Sequence, residues 1–134
     1  MVSLDFQEAA LQAWRMAQNN PDPAVRYAVQ NVPIYTLAAP SRRQAIDGGC
    51  PNCTYLGLWA DQPGPDYPVP PGGYPASNHG YIWLFEEGIR NCSDAELDSQ
   101  THAVLIHEID HALQRDHILD AMRTAAYAWA RPSP

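Results

Sequence analysis

Two histidines four residues apart, His107 and His111, enclose a glutamate in the run His107-Glu108-Ile109-Asp110-His111. On a helix, residues i and i+4 lie about 40° apart around the axis, so both imidazoles share one face and can reach one metal ion. Neutral imidazole nitrogens bind Zn2+ at roughly 2.0–2.1 Å, and a glutamate beside that face can take a proton from a water that the metal has made acidic. The residue types therefore point to metal-assisted hydrolysis, with His107 and His111 as ligands of Zn2+ and Glu108 as general base. A purely structural zinc has no need of such a base beside its ligands.

A catalytic zinc also requires a third protein ligand and an open position. Downstream candidates are His117, Asp116 and Asp120. On an unbroken helix His117 would lie about 240° around from His111 and point away. It can bind only if the helix ends near Arg115, and Asp116 would supply that ending as the N-cap of a following helix with Ile118, Leu119, Met122 and Trp129 on its apolar side.

The elements that must hold this motif can be read from pattern. Ser93 with Glu96 three residues later is a capping-box signature, and helix-forming residues continue through the apolar run Ala103 to Ile106 into the motif. An N-terminal amphipathic helix is expected over Leu4 to Gln18, with Leu4, Leu11, Trp14 and Met16 as its apolar side chains, stopping at Asn19-Asn20-Pro21. Asp22 before Pro23 is the arrangement of an N-cap and first helical residue, so a short helix is expected to run to about Gln30. Val32 to Leu37, Thr54 to Trp59 and Tyr81 to Phe85 read as strands. Asp61 to Asn78, crowded with Pro and Gly, reads as a long surface loop of the kind that is more often functional than filler, and is expected to lie over the metal motif. The expected fold is α+β: one domain over residues 1–134, with a sheet of three or four strands packed on the N-terminal helix and the motif-bearing helix.

His107 to His111 resembles the active-site motif of the zincin metallopeptidases, and His107 to His117 has the outer spacings of the metzincin pattern H-E-x-x-H-x-x-G-x-x-H, with His117 on its third His. Gln114 stands where that pattern has a Gly. The resemblance spans Tyr81 to Met122 and implies a zincin-like domain that binds zinc through His107, His111 and His117 and cleaves peptide bonds in a peptide or protein substrate. It also implies that Tyr81 to Phe85 aligns substrate as an added strand; on its residues alone this run is an ordinary core strand. No oxyanion-stabilising side chain is assigned, Tyr127 and His102 being only residues of suitable type. Peptide deformylases are the nearest rival, because His107 to His111 with Asp110 also fits H-E-x-D-H. Their upstream Cys ligand is only faintly echoed by Gly49-Cys50-Pro51-Asn52, and Ala112-Leu113-Gln114 replaces their L-x-G. A third reading is a non-catalytic protein that keeps a zincin scaffold for assembly.

Composition narrows the partners. Eight basic residues, all Arg, against fifteen acidic ones give a net charge of −7, so no basic stripe is available for phosphates and no nucleic-acid partner is expected. No apolar run approaches the roughly eighteen residues of a membrane span, so no membrane partner is expected. The opening residues lack a secretory leader pattern, which favours the cytoplasm or a larger particle over secretion. Three cysteines, Cys50, Cys53 and Cys92, cannot all pair within one chain. Cys50 and Cys53 have C-x-x-C spacing, but a second zinc site with Cys92 and His79 is disfavoured, since those two flank the Tyr81 to Phe85 strand at about 3.3 Å per residue. A disulfide from Cys92 to Cys50 or Cys53, or buried thiols, fits better.

Overall fold

In the computed structural model, residues 2–39, 55–64, 67–91 and 96–113 are described. They form a small α+β arrangement in the order α1 (Leu4–Gln18), α2 (Pro23–Asn31), β1 (Ile34–Leu37), β2 (Gly57–Ala60), β3 (Tyr81–Phe85), α3 (Glu86–Asn91) and α4 (Leu97–Ala112). Helix α1 opens on Ser3, whose hydroxyl accepts from the Phe6 N–H. Helix α2 opens on Asp22, whose carboxylate accepts from the Ala24 N–H, with Pro23 pre-set for the first turn.

The sheet has the order β1-β3-β2, with β1 parallel and β2 antiparallel to β3. Its register sets Ile34 opposite Ile82 and Gly57 opposite Leu84. Strand β3 is therefore central, and all five of its residues are buried. Paired on both sides, it cannot take up a further strand, so the core-strand reading of Tyr81 to Phe85 stands and its role as a substrate-aligning edge does not.

Alternation along the strands sends side chains to two different cores. Ile82, Leu84 and Leu56 join α1, α2 and α4 in one cluster, whereas Tyr81, Trp83, Phe85 and Leu58 join Tyr67 and Tyr74 in another on the far face. The rings of Tyr67 and Tyr74 lie 5.1 and 6.4 Å from that of Trp83. Between them the chain reverses at Pro70 to Gly73, where the Gly73 N–H donates to the Pro70 carbonyl and Gly72 has φ +82°, a position that suits a residue without Cβ. The described part of the Pro/Gly-rich loop thus covers the sheet face opposite α4, which corrects the expectation that it lies over the metal motif. Its tyrosines pack on the aromatic face, which the helices among the described residues do not cover.

Helix α1 also corrects its expected apolar side. Leu4, Leu11 and Met16 are exposed, at 77%, 44% and 46%, and the buried stripe is Phe6, Ala9, Ala13 and Ala17. Small residues at a spacing of three to four let α1 lie close against α4. Its N-terminal end is clipped to α3. Ser3 donates through its N–H and hydroxyl to the Glu86 carboxylate, and Arg90 bridges Glu86 at 2.6 Å and Asp5 at 2.8 Å. The Ser3 hydrogen bond and then Arg90 hold the Asp5 carboxyl down at about 2. Burial pulls the Glu86 carboxyl up, but the Ser3 and Arg90 contacts outweigh it and leave it below its usual range. Both folded-state values are depressed, so the clip contributes fully above about pH 4 and is lost as pH falls towards 2. Arg90→Ala is expected to lower Tm at neutral pH and to flatten the further fall in Tm between pH 4 and 2. Thermal melts of both proteins across that range check this, and parallel pH profiles would contradict it.

Among the described residues, no helix is long and apolar enough to cross a membrane.

Candidate metal centre

Helix α4 carries the motif and is buried almost all round. It begins at Leu97, later than the expected cap at Ser93, because Glu96 with ψ 143° is already extended and makes no side-chain cap. Ser93 itself lies outside the described residues. From Ala103 to Asp110 every residue of α4 is buried, packed between α1 and the sheet. A helix hydrophobic on all sides is what such a position normally demands. Here the buried set includes His107 at 4% exposure and Glu108 and Asp110 at 0%. Charged side chains are seldom buried so completely unless they are paired or serve a metal.

His107, Glu108 and His111 meet as their spacing predicts. The two imidazole rings lie 5.0 Å apart, edge to face, and the His111 Nε2 lies 4.0 Å from a Glu108 carboxylate oxygen. One donor atom from each of the three falls within 4.8 Å of the others, a spacing able to hold a metal ion. Exposure is graded across the group: Glu108 is sealed, while the His111 side chain remains 20% open. The sealed side is closed by β2. A Cβ on Gly57 would lie 3.0 Å from both Cγ and Oε2 of Glu108 and 2.9 Å from Val104 Cγ1. Gly57 was missed by motif reading, although an isolated glycine within a strand pattern is a recognised sign of close approach.

The remaining sequence candidates fall elsewhere. His117, Asp116, Asp120 and Tyr127 lie outside the described residues, as do Cys50, Cys53 and Cys92. Among the described residues α4 runs to Ala112, with Leu113 as its C-cap, and the stretch around Arg115 where the helix would have to stop lies outside them. His79 is held by Tyr27 of α2, whose hydroxyl is 3.3 Å from its Nε2, and its carbonyl accepts from the Trp59 indole. It is no part of the cluster. Burial pushes the half-buried His102 imidazole down, which favours its neutral form.

No family model matches the chain, and no curated protein is significantly similar to it.

Proposed function

We propose that this protein is a zinc-dependent hydrolase, a metallopeptidase with a zincin-like domain, in which His107 and His111 bind Zn2+ and Glu108 is the general base. The observation that carries this is a buried carboxylate standing between two imidazoles on one buried helix, with the three donor atoms within 4.8 Å. The donor set fits the ion, since two imidazole nitrogens and one or two further ligands are what zinc takes in hydrolytic sites. The third ligand comes from His117, Asp116 or Asp120.

When bound, zinc supplies a Lewis acid that draws charge from a carbonyl oxygen and makes water acidic. His107 is fixed by the packing around it, so its imidazole is pre-set rather than ordered on binding. The Glu108 carboxylate takes a proton from the attacking water and gives it to the leaving amine nitrogen, and its seclusion from bulk solvent strengthens both its orientation and its electrostatic effect. His111 is the most open of the three, its side chain 20% exposed, so a substrate carbonyl would approach the site from its side. Among the described residues β2 is an outer strand, so an extended peptide can pair along its free edge beside Gly57 and Glu108.

Elemental analysis of the purified protein together with casein cleavage tests the proposal. About one zinc per chain is expected, with cleavage lost on chelation and restored by Zn2+. Chelation should also lower Tm, because an ion that binds only the folded state stabilises it. Cleavage that survives complete removal of metal would refute the assignment.

A further inference from the structure

We infer that Gly57 is a positioning residue for Glu108: the bare backbone of the outer strand β2 is the floor on which the carboxylate rests. This builds on the reading of Glu108 as the general base. Three observations lead to it. Gly57 lies within β2, paired opposite Leu84, and does not occupy the left-handed region, so its backbone conformation is open to any residue. Space alone therefore demands glycine. The atoms that claim this space are Val104 Cγ1 at 2.9 Å and Glu108 Cγ and Oε2 at 3.0 Å from where a Cβ would stand.

The Cγ contact decides the consequence. Had only Oε2 met the added methyl, a turn of the terminal carboxylate would relieve it, since that torsion is soft. Cγ is placed by χ1, so giving the few tenths of an ångström the added methyl needs turns χ1 and carries the whole carboxylate, further out on the same lever, with it. Glu108 is fully buried on a helix wedged between α1 and the sheet, so it has no solvent to swing into. It would move within the site instead, away from where it faces His111. Displacing a reacting group by about 1 Å can cost on the order of 100-fold in rate without loss of the metal site. Gly57 thus sets the depth and direction of the base, and His107 and His111 keep their own places on α4.

A structural glycine between helix and strand would also be destabilised by a Cβ, through Val104, so the two roles must be separated. The first measurement is thermal stability. Gly57→Ala is expected to lower Tm by about 5 °C, and the same substitution in a Glu108→Ala background, which has no Cγ, is expected to cost clearly less. An identical cost in both backgrounds means Glu108 does not impose the glycine, and the inference is overturned.

The second measurement uses the zinc-loaded Gly57→Ala/Val104→Ala protein, in which the Val104 clash is relieved and the Glu108 clash remains. Stripped of metal, it is expected to take up about one cobalt per chain in a Co2+ titration; reloaded with zinc, it is expected to show a partly recovered Tm and a KM for a casein-derived fluorogenic peptide changed by less than about threefold. Its kcat is expected to stay about 10- to 100-fold below that of Val104→Ala alone. A kcat equal to that of Val104→Ala would sink the positioning role even if stability behaves as expected. Failure of the underlying reading looks different: Glu108→Gln would then cleave as well as the unmodified protein, or neither would cleave. In both cases the catalytic part of the inference falls with it.

Discussion

Glu108→Gln is expected to leave zinc bound at about one per chain while lowering kcat for peptide cleavage by about 10²- to 10⁴-fold. The substitution keeps the shape of the side chain, so the amide can occupy the same space over Gly57 and beside Val104. What it removes is the ability to accept a proton. Ligands and base are different residues here, so metal content and turnover should separate cleanly, with KM little changed. Zinc content by elemental analysis and single-turnover cleavage on the same preparation would decide it. Loss of zinc along with activity would recast Glu108 as a ligand, and full activity with zinc retained would leave the protein without its proposed base.

The second large effect is expected from His107→Ala. Losing even an outer partner of a metal-binding histidine commonly costs 10- to 100-fold in affinity, so losing the ligand itself should cost more than about 100-fold and bring zinc close to zero in the purified protein. At 4% exposure the imidazole also fills space in the core, and its truncation should cost roughly 2–4 kcal/mol of stability. His79→Ala is the matched control, because His79 contacts Tyr27 and Trp59 rather than the cluster. It should retain zinc. Equal zinc in the two variants would show that α4 does not hold the ion.

The residues of the candidate metal centre were more legible than those that arrange them. His107, Glu108 and His111 are a local pattern on one helix, and a helix's geometry is the same wherever it is packed. The spans Leu4–Gln18 and Tyr81–Phe85 also match, since caps, breakers and β-branched or aromatic runs act locally. Faces were harder. Bulk pointed to Leu4, Leu11 and Met16 on α1, but close approach to α4 selects small residues, and Ala9, Ala13 and Ala17 carry no bulk to attract notice. Helix α3 was not anticipated; it is only six residues long, and its Gly88 is there because a Cβ would strike the Tyr55 carbonyl. The position of the Pro/Gly-rich loop depended on which sheet face was left uncovered, and Gly57 on the depth of a side chain fifty residues away. Local pattern could flag Gly57 as a point of close approach, but not what approaches it, and it says nothing of which face the loop covers.

The packing of α1 on α4 bears on how the protein comes to be folded. Phe6 and Ala13 share one core with Ile106 and Ile109, while β1 pairs in parallel with β3 across a long stretch of chain. Few of these contacts are local, and loop closure must precede their reward, which places the molecule among slower-folding topologies. During synthesis α1 emerges long before the helix it must cover. Until α4 has left the ribosome the Ala9, Ala13 and Ala17 stripe has no partner, and His107 and Glu108 have no enclosure. The His107, Glu108 and His111 cluster is therefore assembled late, with the closing of the core rather than before it.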